Sequence, residues 1–232
     1  MEPAVREQLQ GLRQDLETLR KDAGTSKERL AAAYGELGMA YHAYELLDSA
    51  EACYANARRL EPAAALWPYA AGRLARDHRG DLPAALASFE EAHRLAPEGA
   101  PGQAAILLHL ALTHLMAGQT EQAEALFQQA RRQGKEPAAA LDGLGRVAAA
   151  RQDEAAIAFF QQALALQPQA GRVWYRLGQA LRRAGRLEEA KQALEKQGAQ
   201  DVYFEDPFEK QLADAGRGVS SLLRQGGMAQ LA

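Results

Sequence analysis

The stretch Trp174 to Gln197, WYRLGQALRRAGRLEEAKQALEKQ, limits what this chain can fold into more than any other. Trp174, Leu177, Gly178 and Leu181 fall on one helical stripe, at spacings of three and four. Gly185 interrupts the stripe, and Leu187, Ala190 and Leu194 restart it. The spacing predicts two short antiparallel helices. Gly178 and Ala190 are small where bulk is expected, which lets the two backbones approach closely.

The same arrangement recurs upstream at intervals of about 34 residues across roughly 31–197. The first copy has Tyr34, Leu37, Gly38 and Tyr41, then Ala50, Tyr54, Ala57 and Pro62. The second has Gly72, then Ala85, Phe89, Ala92 and Pro97. The third has Leu107, Leu110, Ala111 and His114, then Ala123, Phe127 and Ala130. The fourth has Leu141, Leu144, Gly145 and Ala148, then Ala156, Phe160, Ala163 and Pro168. The second turn, Asp77 to Pro83, is one residue longer than the first, and the fourth, around Asp153, is one shorter. Asp81 is placed to cap the following helix, with Pro83 in its first turn.

This pattern is similar to the tetratricopeptide repeat, whose signature runs W-x2-L-G-x2-Y, then A-x3-F, then P. The resemblance implies an all-α fold, a right-handed α-solenoid of stacked helix-turn-helix hairpins that bury their cores only against neighbours. The expected organisation is an N-terminal amphipathic packing helix at 1–25, a solenoid of about five repeats at 26–199, and a connector with an incomplete helical hairpin at 200–232. The overall pattern also resembles bacterial envelope-type tetratricopeptide proteins. In these a leading helix precedes repeats like LGMAYHAYELLDSAEACYANARRLEP and WPYAAGRLARDHRGDLPAALASFEEA, and a connector like Glu205-Asp206-Pro207 leads into more repeats.

The leading helix carries Val5, Leu9, Leu12, Leu16 and Leu19 in a heptad-like seam. The seam serves either to pack on the first repeat or to form a homo-oligomer through residues 5–19. Asp22 to Lys27 is a polar hinge. After Gly198, Asp201 to Pro207 (DVYFEDP) is aromatic and acidic and reads as an extended connector. Phe208 to Ala215 is a candidate short helix. Val219 to Leu223 and Met228 to Leu231 look like the start of a further hairpin, which suggests a piece of a longer protein.

Hydrophobic residues make up 47% of the 232, enough for a core without metals or disulfides. The single cysteine, Cys53, excludes an intramolecular disulfide. The net charge of -3 argues against bulk attraction to nucleic acid. No apolar run approaches the roughly 18 residues that a membrane span needs, so no membrane insertion is expected. MEPAVREQLQ lacks the basic-then-apolar order of a signal peptide. The compartment is the cytoplasm, or the periplasm or cell envelope if a signal peptide was removed.

Enzyme signatures are missing: there is no Gly-rich phosphate loop, HExxH, GxSxG or paired CxxC. His109 and His114 are five residues apart and diverge by about 140° on a helix, a poor arrangement for one metal. Neither metal nor cofactor is expected. Cys53 has no adjacent histidine and reads as a structural thiol. Glu90-Glu91 and Glu188-Glu189 read as solvated helix faces.

In stacked tetratricopeptide hairpins the first helices line a concave face. Applied here, that places Tyr69, Arg73 and Arg76 inward, then Leu108, Leu112 and Leu115, then Asp142 and Arg146. Arg172, Tyr175, Arg176, Gln179 and Arg183 follow in the last repeat. Guanidinium groups pair bidentately with carboxylates, and tyrosine offers a stacking surface. The groove is thus predicted to bind an acidic or carboxylate-bearing peptide. The alternative is that these arginines are solvated, or hold Asp and Glu of the neighbouring repeat. The carboxylate clamp of chaperone-binding relatives is missing, with Gly35 and Met39 at its first two positions. The expected function is a non-catalytic protein-interaction scaffold. A regulatory or substrate-presenting segment of a larger enzyme, or a self-assembly module, are the alternatives.

Overall fold

A computed structural model describes residues 3–100, 102–134, 136–211 and 213. The described residues are helical, with no strand among them. A leading helix α1 (Pro3–Lys21) is followed by five hairpins: α2 (Lys27–Ala43) with α3 (Leu47–Leu60), α4 (Leu66–Leu74) with α5 (Leu82–Leu95), α6 (Gln103–Met116) with α7 (Thr120–Gln133), α8 (Pro137–Ala150) with α9 (Ala155–Leu166), and α10 (Gly171–Arg183) with α11 (Leu187–Glu195). The architecture is that of an α-solenoid. Residues 207–211 are also helical, overlapping the short helix expected at Phe208 to Ala215. The hairpin start expected at Val219 to Leu231 lies outside the described residues.

The small first-helix residues have a direct steric cause. A Cβ added at Gly38, Gly72, Gly145 or Gly178 would lie 2.9, 2.9, 2.6 and 2.6 Å from Tyr54, Phe89, Phe160 and Leu194 respectively. Each large second-helix side chain therefore packs directly against the glycine of its partner helix. At Gly35 a Cβ would come within 2.2 Å of the Trp67 ring, so the second repeat fills the position where a clamp residue would stand.

Four of the five turns share one closure. An amide reaches back five residues to the helix carbonyl, Leu46 to Tyr41, Gln119 to His114, Asp153 to Ala148 and Arg186 to Leu181, each at 2.9 Å. The preceding residue is left-handed in every case: Glu45, Gly118, Gln152 and Gly185. This is the Schellman arrangement, which satisfies carbonyls left open at a helix end. The two length irregularities are absorbed on opposite sides of it. In the second hairpin the extra residue enters a π-helical turn, Ala75–Arg79, and the closing bond runs from Asp81 to Ala75. In the fourth the missing residue tightens the first turn of α9, where Ala156 and Ile157 donate to Asp153 and Glu154, three residues back. The Asp81 side chain accepts from the Ala84 amide at 3.0 Å, the expected cap.

The chain forms two compact units. The first holds α1–α5 together with the described residues from Asp206 onward. Its core includes Leu37, Tyr41, Tyr54, Trp67 and Leu74. Helix α1 buries Val5, Leu9 and Leu16 against this core, and Tyr44 donates to the Gln8 side chain at 2.8 Å. The N-terminal seam is therefore occupied by the chain's own first repeat. The second unit, Glu98–Glu205, holds α6–α11, with Leu107, Phe127 and Val147 in one cluster and Phe160, Val173 and Leu177 in another.

Candidate functional site

In the second unit the first helices α6, α8 and α10 carry the residues expected to line a groove. Leu108 is buried in the α6–α8 core, and Leu112 and Leu115 are half-buried beside it. These three serve packing. Asp142 on α8 is buried, and Arg176 on α10 donates to it at 3.0 and 3.1 Å. Burial lifts the Asp142 carboxyl above its usual range, against the pull of Arg176 and Arg146. Arg176 also forks onto Asp201, Nη1 to Oδ1 at 2.8 Å and Nη2 to Oδ2 at 3.0 Å. Burial works against the ionised Asp201, but the Arg176 fork outweighs it and holds the carboxyl below its usual range. Arg172 adds a longer contact to Asp201 at 3.6 Å.

Asp201 opens the connector, and residues 201–206 have no regular secondary structure. Arg172 donates its amide to the Gln200 carbonyl at 2.8 Å. The Gln167 side-chain amide reads the backbone of Tyr203 twice, donating to its carbonyl at 2.7 Å and accepting from its amide at 2.8 Å. Phe204 sets its ring edge-on to His109, with centroids 5.3 Å apart, and packs on the α6–α8 core. The Glu205 amide donates to Glu136 at 3.0 Å. Tyr203 itself points to solvent. A Cβ at Gly171 would meet the backbone of Gly198 at 2.4 Å, so this glycine lets the connector leave close over α10.

The other predicted residues of α10 are looser. Tyr175 is nearly half exposed, Gln179 is half-buried, and Arg183 is exposed with a 3.3 Å contact to the Ala149 carbonyl.

In the first unit, α4 presents Tyr69, Arg73 and Arg76. Arg73 donates to Asp77 at 2.7 Å, to Asp206 at 3.3 Å and to Glu209 at 3.1 Å. Tyr69 donates to Asp206, whose side chain is almost wholly buried. Phe208 stacks beside the Tyr69 ring at 4.7 Å, over a depression lined by Met39, Leu66 and Ala70. Arg76 instead holds Asp77 at 2.6 Å and lies over the Phe89 ring. Burial opposes the ionised Asp77, but Arg76 and Arg73 outweigh it and bring the carboxyl to about 2.

The solitary thiol of Cys53 is buried, and burial pushes it up to about 11, so it is protonated at neutral pH. Glu91 departs from the solvated face expected of it: its side chain is mostly buried and pairs with Arg58.

Two family models described as "Tetratricopeptide repeat" match residues 65–136 and 148–202. This chain is a tetratricopeptide repeat protein. No curated protein matches it by sequence. Among solved structures it is similar to BtubC from P. vanneervenii, at 17% identity and a TM-score of 0.70, covering 84% of this chain and 90% of that one. It is similar to PilF of Pseudomonas aeruginosa at 16% identity and 0.63, covering 86% and 92%. YrrB, described as a TPR protein with an unusual peptide-binding site, gives 20% and 0.59 over 80% and 89%. These likenesses are of fold.

Within this tetratricopeptide repeat protein Arg176 is thus partnered twice, by a neighbouring repeat through Asp142 and by the connector through Asp201, and Arg73 is partnered by Asp77, Asp206 and Glu209. The spacing of the arginines was legible; Asp201, Asp142, Asp206 and Glu209, which pair with Arg176 and Arg73, lie 25 to 136 residues away along the chain. The sequence signal for Asp201 and Asp206 was the acidic and aromatic character of DVYFEDP, and pairing within the solenoid was the stated alternative for Asp142.

Proposed function

We propose that this tetratricopeptide repeat protein is a non-catalytic protein-interaction scaffold, and that its first-helix faces take an extended, acidic segment of a partner protein. One observation carries this reading: Arg176, one of the cations predicted to bind carboxylates, holds the Asp201 carboxylate of a segment without regular secondary structure. The Arg176–Asp201 fork has the parallel two-bond form that gives guanidinium groups their selectivity for carboxylate. YrrB, similar in fold, is described as having a peptide-binding site. The N-terminal seam is buried on α2, which favours a different protein as partner over a second copy of this chain.

The test is photocrosslinking in the native cell, with a photoreactive side chain at Tyr175, which is exposed beside Arg172 and Arg176. Envelope and cytosolic fractions are sequenced separately. The expected product joins Tyr175 to an acidic segment of one partner and disappears with Arg172→Glu/Arg176→Glu. Crosslinks that survive the charge reversal would move the binding surface elsewhere.

A further inference from the structure

We propose that Asp201–Phe204 is a tethered occupant of a ligand site on the second unit, and that a partner segment carrying a carboxylate and, three residues on, an aromatic ring binds by displacing it. This rests on the scaffold reading above and names the ligand class and its built-in competitor.

The contacts to this segment are those of peptide recognition. Asp201 supplies the carboxylate for the Arg176 fork. Phe204 supplies the ring against His109. Between them, Gln167 pairs with the backbone amide and carbonyl of Tyr203, a contact that any residue could make. The Tyr203 side chain is 71% exposed and contributes nothing to the seat. Val202 packs against the hydrophobic cluster around Phe160 and Leu177, so three side chains are read, and Tyr203 is held through its backbone. A second peptide with a carboxylate, an apolar side chain beside it and the aromatic ring can replace each contact.

The seat also stays satisfied while the exchange occurs. Arg176 retains Asp142 when Asp201 leaves, so no buried charge is stranded. The connector has no regular structure from 201 to 206 whose loss would accompany release. A tether of this kind acts as a competitor at an effective concentration of about 1 mM. Against a free peptide of about 0.1 mM affinity, that weakens apparent binding about tenfold.

The experiment uses the whole chain and a labelled peptide of residues 199–205, Ala-Gln-Asp-Val-Tyr-Phe-Glu, read by fluorescence polarisation. Three proteins are compared after circular dichroism establishes equal helicity: the wild type, Asp201→Ala/Phe204→Ala, and the same double variant with Gln167→Ala. The expected result is binding about tenfold tighter to the double variant than to the wild type, and weakened again by Gln167→Ala. A peptide with its Asp replaced by Asn and its Phe by Ala should not bind. Equal binding to wild type and double variant would overturn the tethered competitor and leave the scaffold reading standing. No binding to either would overturn both. Tighter binding that ignores Gln167→Ala would show that the peptide sits elsewhere, and would overturn the site.

Discussion

At the scale of single residues, the turns show where the sequence works against its own geometry. Glu45 and Gln152 occupy left-handed positions with φ of 58°, where the equivalent residues of two other hairpins, Gly118 and Gly185, are glycines. A side chain there meets the carbonyl that glycine avoids, a penalty of roughly 1–2 kcal/mol, partly offset by the greater backbone freedom glycine loses on folding. Gln152→Gly should therefore stabilise the fourth hairpin by about 0.5–1 kcal/mol in urea unfolding, and a loss of stability would contradict this account. His42 gives a pH-dependent counterpart. It is buried, its Nδ1 lies 3.2 Å from the Tyr54 hydroxyl, and its ring meets that of His78. Burial, followed by the charges of His78 and Arg73, lowers it to about 4. The unfolded chain protonates it near 6.5, so between those values the unfolded state binds more protons. Stability from neutral His42 is fully present above pH 6.5 and is lost as the pH falls toward 4, by up to about 3 kcal/mol. His42→Gln should flatten that slope in unfolding measured from pH 7 to 4; an unchanged slope would assign it to other groups.

At the scale of elements, the hairpins were legible because each small residue and its large partner follow from one steric requirement. Gly72 and Phe89 announce each other in the sequence, as do Gly145 and Phe160. The two irregular lengths were also legible, but not their location. A count of residues between Gly72 and Phe89 shows one extra without saying whether helix or turn takes it; the end of α4 takes it as a π turn. The connector was legible as acidic and aromatic. Its seat was not, because pairing Asp201 with Arg176 depends on how α10 and the chain after it pack, which no local pattern encodes. Helix α1 illustrates a seam that could serve two purposes. A heptad-like stripe fits a second copy or a neighbouring repeat equally, and Leu9 is buried on the first repeat at 2% exposure. Leu9→Ala should cost about 2–5 kcal/mol in the stability of the first unit. The mass by light scattering should be that of the wild type. A change in mass with stability intact would return the seam to an assembly role.

At the scale of the whole molecule, charge decides which partners can exchange with the connector. The chain carries a formal net charge of -3, so its overall field does not attract an acidic ligand, and Arg176, which would bind its carboxylate, is already paired with Asp142 and Asp201. Replacing Asp201 by a partner's carboxylate leaves the charge at Arg176 unchanged. The exchange therefore gains little from electrostatics and should depend weakly on salt. Removing Asp201 exposes part of the Arg176 charge, so binding to that protein is a net neutralisation and is screened by added ions. The prediction is a difference in slope. Between about 0.05 and about 0.3 M salt, affinity for an acidic peptide should change little in the wild type and fall several-fold in Asp201→Ala/Phe204→Ala. Fluorescence polarisation across a salt series measures both slopes. Equal slopes would mean that the peptide adds to the connector instead of replacing it, because addition brings the same new charge to both proteins.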